Sequence, residues 1–445
     1  MNDARRTIVI MGAAGRDFHN FNMVYREDAA FRIVAFTAAQ IPGIDARTYP
    51  PQLAGDLYPD GIPVLPEAEL EEICRRHRVD EVVFAYSDVT HEYVMHVAAC
   101  VVASGCSFTL LGPDQTTLAS RRPVIAVSAV RTGCGKSQTS RYLAGKLAAA
   151  GVRVAAIRHP MPYGDLAAQA VQRFEQMEDL DAAECTLEER EEYEPYLEAG
   201  HSVYAGVDYA RILEAAESSA DIILWDGGNN DMPFIQPDLH IVLVDALRPG
   251  HETRYWPGEA NLRAADIVVI AKTDSARPDD IAALCGTIAT INPGAVIVHA
   301  ASPVALDDPD AVAGKRVLVI EDGPTLTHGG AATGAGFVAA RSGGAAEIID
   351  PRPHAAPGIR AVFEAFPHIG PVLPAMGYSE VQRRALVETV EACSADIVVA
   401  GTPIDIAEDL GLSSVVVRAR YSYADAGEIR LWDQVSQWLT DINSD

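Results

Sequence analysis

This 445-residue chain predicts an α/β fold on mostly parallel sheets, on three observations. Short β-rich apolar runs alternate with amphipathic helical patterns almost from end to end, as strand–helix–strand units require. A strand-like run at 124–127 passes through a glycine turn into a helical pattern at 137–150, the local order of an open parallel sheet. The length accommodates two to four domains of about 100–200 residues.

The elements then follow in order. Strands are expected at 7–11, 31–37, 81–86 and 108–111, with helices at 67–77 and 90–104, giving a Rossmann-like domain over 1–121 that ends at Arg121-Arg122-Pro123. Gly12 and Gly15 form a turn after the first strand, but Ile10 stands where G-x-G-x-x-G needs its first glycine, which argues against a dinucleotide cofactor. A second series over 122–325 has strands at 124–127, 152–157, 221–225, 239–244, 266–271, 295–299 and 315–320. A Gly/Ala-rich stretch from Thr327 leads into a smaller C-terminal α/β domain, 326–445, with strands near 347–349, 396–400 and 414–417. Between 175 and 198 eleven residues are acidic and only Arg190 opposes them. Such a run reads as a solvated helical face or mobile insert, with a lid or partner surface as the functional alternative.

Composition narrows the function classes. The net charge is -27, from 62 acidic and 35 basic residues, and only four residues are lysine: Lys136, Lys146, Lys272 and Lys315. That balance argues against nucleic acid or an anionic membrane as partner and leaves a small anionic substrate in a local basic pocket. No apolar run reaches the roughly 18 residues of a membrane span, and the start enters a strand instead of a signal segment, so a cytoplasmic protein is expected. Seven cysteines without a C-x-x-C pair indicate reduced thiols instead of disulfides or structural zinc.

The chemistry concentrates in PVIAVSAVRTGCGKSQTS, from Pro123. A strand enters Thr132-Gly133-Cys134-Gly135-Lys136-Ser137 and then a helix beginning with Gln138, the context of a phosphate-binding P-loop. Glycines let backbone N–H groups wrap phosphate oxygens, Lys136 reaches the β/γ-phosphates, and the Ser137 hydroxyl suits Mg²⁺. The central domain is therefore read as a P-loop NTPase domain. Val130 replaces the first glycine of the full pattern, so the loop is a variant. With its extra glycine and Arg131 it resembles the SIMIBI class, where a basic residue at that position contacts phosphate across a dimer. Arg131 is thus an arginine-finger candidate or a surface arginine, and a homodimer is expected. Cys134, at a helix N-terminus, is a reactive thiol or an ordinary loop position.

Asp226 ends the strand DIILWD before two glycines, where a Walker-B acid would hold Mg²⁺. Asp165 is a second metal candidate or a helix N-cap before Leu166. The element Ala271-Lys272-Thr273-Asp274 matches the N-K-x-D base-reading motif except at Ala271, which keeps Lys272 and Asp274 as nucleotide contacts while putting guanine specificity in doubt. ATP is the expected cofactor, with GTP open.

Together with GAAGRDFHNFN, RHPMPYGDL, WPGEANLRAADIVVIAKTD and EDGPTLTHGG, these motifs resemble the cyclic 2,3-diphosphoglycerate synthetase family over nearly the whole chain. The resemblance implies an ATP-dependent ligase that closes a ring in a small doubly anionic acid through a phosphoryl-activated intermediate, releasing ADP and phosphate. It puts the P-loop role on Lys136 and Ser137 and the Walker-B role on Asp226. Basic and polar residues after strands then form the candidate substrate pocket: Arg16, His19 and Asn20; Arg158 and His159; Arg248, His251 and Arg254; and His328. The competing reading is a SIMIBI-type GTPase switch that delivers a metal or cofactor, against which the lack of a Cys/His cluster speaks.

Overall fold

The computed structural model describes residues 5–39, 47–159, 164–228, 230–327, 329–375 and 380–442. Three mostly parallel sheets form, each around its own core. In the first, strands run in the order Thr48–Tyr49, Ile62–Pro66, Phe31–Ala38, Arg6–Met11, Glu81–Phe84 and Ser107–Thr109, antiparallel only at the first pair. The expected strands and helices of this region appear within a few residues of their predicted bounds.

The second sheet has nine strands, with Val124–Ala129 near its middle between Ile222–Asp226 and Leu239–Asp245. All six residues of Val124–Ala129 are buried, as expected of a strand covered on both faces of a parallel sheet. From that strand the chain crosses to Val154–Arg158 on one side, and after Ile222–Asp226 it continues to Leu239–Asp245 on the other. The strand order therefore reverses at Val124–Ala129, and a crevice opens at its carboxyl end. Helix Lys136–Ala149 buries Thr139, Ser140, Leu143, Ala144 and Leu147, a spacing of three and four that lays one face on the sheet.

The third sheet contains Val304–Leu306, Val416–Tyr421, Ile397–Gly401, Arg316–Glu321, Glu347–Ile348 and Leu373–Pro374. The chain then returns. Ala424–Asp425 adds an antiparallel edge to the second sheet, and helix Leu431–Ile442 packs Leu431 and Val435 into the second core.

Contacts between the sheets position the site. Val89–Thr90 pairs with Tyr255–Trp256, joining the first unit to the second. The Arg248 guanidinium donates to the Gly329 carbonyl at 2.9 Å, and the Gln138 amide to the Ser302 hydroxyl at 2.7 Å, which ties the third sheet's connections to the P-loop. Helix Leu187–Glu198, the centre of the acidic run, is neither a solvated face nor an open insert: Glu188, Glu189, Glu191 and Glu194 are all buried. No helix among the described residues is long and apolar enough to cross a membrane.

Candidate active site

The loop after Val124–Ala129 is shaped by Gly133 and Gly135, whose φ values of 81° and 102° suit glycine. At Gly135 a Cβ would also stand 2.7 Å from the Gln138 amide nitrogen. Helix Lys136–Ala149 starts immediately after, so its free N-terminal N–H groups face the crevice.

Lys136 Nζ lies 2.5 Å from Asp226 Oδ1. The same carboxylate pairs with Arg158 and accepts a hydrogen bond from the Tyr196 hydroxyl at 2.8 Å. Burial alone would raise Asp226, but Arg158, Lys136 and Tyr196 outweigh it and hold the carboxyl well below the usual range. Burial lowers Lys136 to about 8, against the pull of Asp226. Arg158 also pairs with Glu192. An ionised Asp226 with lone pairs to spare and the Ser137 hydroxyl one residue beyond Lys136 make an oxygen-only donor set, which fits a Mg²⁺ ion held mainly by nucleotide phosphates. Among the described residues no group of three His, Cys, Asp or Glu side chains could hold a metal by itself.

The loop is braced by further ion pairs. Arg131 Nε stands 2.8 Å from Asp88 Oδ1, with its guanidinium 3.7 Å above the Tyr255 ring, and Asp88 Oδ2 accepts from the Thr132 N–H at 3.3 Å. Arg131 is thus buried within its own chain. Asp245 accepts from Arg248 at 2.8 Å and from Lys272 at 2.7 Å. These two cations also donate to the loop carbonyls, Arg248 to Thr132 at 2.8 Å and Lys272 to Gly133 at 2.6 Å. Lys272 therefore buttresses the loop backbone, while Asp274 is exposed and accepts from the Ser302 N–H at 3.0 Å. Burial pushes the Cys134 thiol up, the opposite of what a thiolate nucleophile needs, although Arg248 donates to it at 3.6 Å.

The candidate substrate residues divide. Arg158 touches the Lys136–Asp226 pair, and His159 packs against Gly15 and Gly228 beside it. His251 lies near Arg131, Arg248 and Arg254, and burial, helped by these cations, lowers it to about 4, so it is neutral near pH 7. Arg16 and His19 instead fill the contact between first and second sheets. Arg16 Nε is 3.1 Å from Asp231 and His19 stacks on Phe234 at 4.1 Å, bonding the Thr116 carbonyl at 2.6 Å. Burial and then Arg16 lower His19 to about 3, which deprives it of positive charge for an anion. Asn20 is buried in the same contact region, and Arg254 is exposed. Asp165 is exposed and caps its turn, accepting from the Ala167 N–H at 2.9 Å. His328 lies outside the described residues.

Sequence reasoning did not single out Asp88, Asp231, Asp245, Glu192 or Tyr196. Only Asp245 had a readable signal, a carboxylate ending a buried strand as Asp226 does.

Over 434 residues the chain is 55% identical to the arginine synthetase ArcE of Thermococcus kodakarensis, covering 98% of this chain and 97% of that protein. The chain belongs to the arginine synthetase ArcE family. No protein-family model matches it. The ArcE relative is named for arginine, so the finding does not extend to the cyclic 2,3-diphosphoglycerate synthetases. Among solved structures, the chain resembles LpxK from Aquifex aeolicus in complex with ATP, with TM-score 0.42 and 15% identity over 79% of this chain and 97% of that one. It also resembles the hydrogenase maturation factor HypB from Archaeoglobus fulgidus, with TM-score 0.27 and 14% identity over 40% and 80%. At these scores neither likeness bears on what this ArcE family member does.

Proposed function

We propose that the chain is an ATP-dependent ligase that makes arginine, using phosphoryl activation of a ureido oxygen and releasing ADP and phosphate. The family relation supports the product. The observation that carries the choice over ring closure in a doubly anionic acid is the pairing of charge: Lys136 and Arg158 share Asp226, Arg131 has Asp88, and Lys272 and Arg248 share Asp245. Once nucleotide phosphate takes Lys136, little positive charge is left for a second polyanion. A substrate that is neutral at its reacting end and leaves as a guanidinium suits such a site.

Arginine's guanidinium carbon is at the oxidation level of urea, so making it from a ureido group requires exchange of oxygen for nitrogen, and oxygen leaves poorly. Transfer of the γ-phosphoryl to that oxygen turns it into phosphate. A nitrogen nucleophile then adds at the carbon, phosphate departs, and the guanidinium forms. In this reading Lys136 exchanges Asp226 for the β/γ-phosphates, while Arg158 and Tyr196 keep Asp226 ionised and oriented. The backbone from Gly133 to Ser137, held from behind by Lys272 and Arg248, cradles the phosphates. Mg²⁺ held by Ser137 and Asp226 would neutralise charge on the transferred group. Packing of the first and third units against the loop keeps water from the activated oxygen.

The test is product analysis with ATP, Mg²⁺, citrulline as the ureido amino acid, and ammonium. Arginine, ADP and phosphate in equal amounts are expected. ADP release stimulated by 2,3-diphosphoglycerate and not by citrulline would overturn the proposal.

A further inference from the structure

A homodimer built through Arg131 is not what the structure offers, because that side chain is committed to Asp88 and Tyr255 of its own chain. Another surface stands out by its chemistry. Residues 93–113 contain no Asp, Glu, Lys or Arg, although at 22% charged residues a stretch of 21 would hold about five. They span most of helix His91–Ala103 and the whole of strand Ser107–Thr109, both at one edge of the first sheet. The helix buries Val94, Ala98 and Val101, and its valines share a core with Val9, Val82 and Phe84. Its opposite face is apolar too: Met95 is 66% exposed and Val102 62%, and Ala99 and Ala103 are exposed with them. These four stand at i, i+4, i+7 and i+8, on one face. A helix that is apolar all round belongs in an interior, and a single chain covers this one on one side only. By contrast, helix Leu70–His77 of the same unit exposes Glu71, Glu72, Arg75 and Arg76.

The strand beside the helix repeats the pattern. Ser107–Thr109 pairs in parallel with Glu81–Phe84 on one edge, and no described strand pairs with its other edge. Proteins usually guard such an edge with a charge, a proline or a bulge. The outer strands of the second sheet carry Arg173 and Asp425. Ser107-Phe108-Thr109 has no charge, no proline and no bulge, and Leu110 next to it is 39% exposed. Helix face and strand edge thus form one uncharged surface, bounded by exposed Glu92 where the helix begins and by exposed Asp114 after the strand.

Charge decides what covers it. A net charge of -27 repels anionic lipid, and a basic partner would draw its attraction from the acidic surface elsewhere, not from a face without charge. A second copy carries the same -27, so two copies approach at least cost where both are uncharged, and an apolar face complements itself across a two-fold axis. We propose that a second copy of this chain docks on this surface, with helix His91–Ala103 packed against its counterpart and Ser107–Thr109 lying antiparallel to its own counterpart. The two first sheets then join into one, and Met95, Val102 and Leu110 leave water. This holds whatever reaction the P-loop serves.

The experiment is sedimentation of the full-length chain from about 1 to 100 μM at physiological ionic strength. The wild type should sediment with twice the chain mass. Val102→Glu on the helix and Leu110→Glu beside the strand each set a carboxylate against the partner's copy of the same patch, and each should weaken dimerisation by about 100-fold or more. Both side chains are exposed in the single chain, so circular dichroism should show the fold unchanged. Val381→Glu alters a side chain of the third unit that is 75% exposed, and should leave the dimer intact. The surface is wrong if the wild type stays monomeric at 100 μM, if the dimer persists in either patch variant, or if Val381→Glu dissociates it as well.

Discussion

The turn after strand Arg6–Met11 and the turn after Val124–Ala129 are assembled from the same parts, glycines between a buried parallel strand and a helix. In the first, the Asp17 carboxylate folds back and accepts from the N–H groups of Ala14, Gly15 and Phe18 at 2.9, 3.1 and 2.7 Å. The chain thereby places its own anion where a ligand's would go, and the neighbouring Arg16 is matched by Asp231. In the second, no described side chain accepts from the N–H groups of Gly133 to Ser137. The two turns therefore differ in their backbone: the N–H groups of the first are already taken by Asp17, and those of the second are not.

The largest effect that separates the two turns is Lys136→Ala. ADP release should fall by about 10³-fold or more with the fold intact, since in the proposed reaction this lysine brings its charge to the transferred phosphoryl group. A smaller loss in a folded variant, by steady-state ADP assay, would show that the second turn is not the phosphate site.

Arg16→Met comes next. It leaves Asp231 buried without its partner and should cost about 3 kcal/mol in urea unfolding, with the ATP dissociation constant unchanged. Weaker ATP binding at unchanged stability would return the first turn to the ligand site.

The smallest effect is a pH dependence at His19. Its folded value of about 3 lies below the ordinary 6.5, so the unfolded chain binds the proton first. Stability from this group is present in full above about 6.5 and is lost as pH falls towards 3. Between pH 7 and pH 5 this amounts to about 2 kcal/mol, and His19→Gln, which keeps a donor for the Thr116 carbonyl, should remove that part of the urea-midpoint shift. An unchanged shift would mean that His19 takes up its proton in the folded chain as readily as in the unfolded one, against the burial that Phe234 stacking and the Thr116 bond imply.

Much of this was legible in the chain. The α/β alternation, the strand entering the P-loop, Lys136, and the carboxylate of Asp226 follow from short-range patterns, because strand burial, glycine turns and helix starts depend on residues within a few positions of one another. The acidic run was legible as composition and misleading as environment: like charges in sequence suggest solvent, yet Glu191 is buried against Asp322, 131 positions away.

What only the tertiary structure decided is which acid answers which cation. Asp88 reaches Arg131 from another sheet, Asp231 lies 215 residues from Arg16, and Lys272 meets Asp245 through neighbouring strands. A count of charges gives a net value and a local pattern tells where a strand ends, but ion pairing depends on distance in space. Only the packed sheets bring these groups within 3 or 4 Å, and that decides which cations brace the loop: Arg248 and Lys272 through its carbonyls and Arg131 through Asp88.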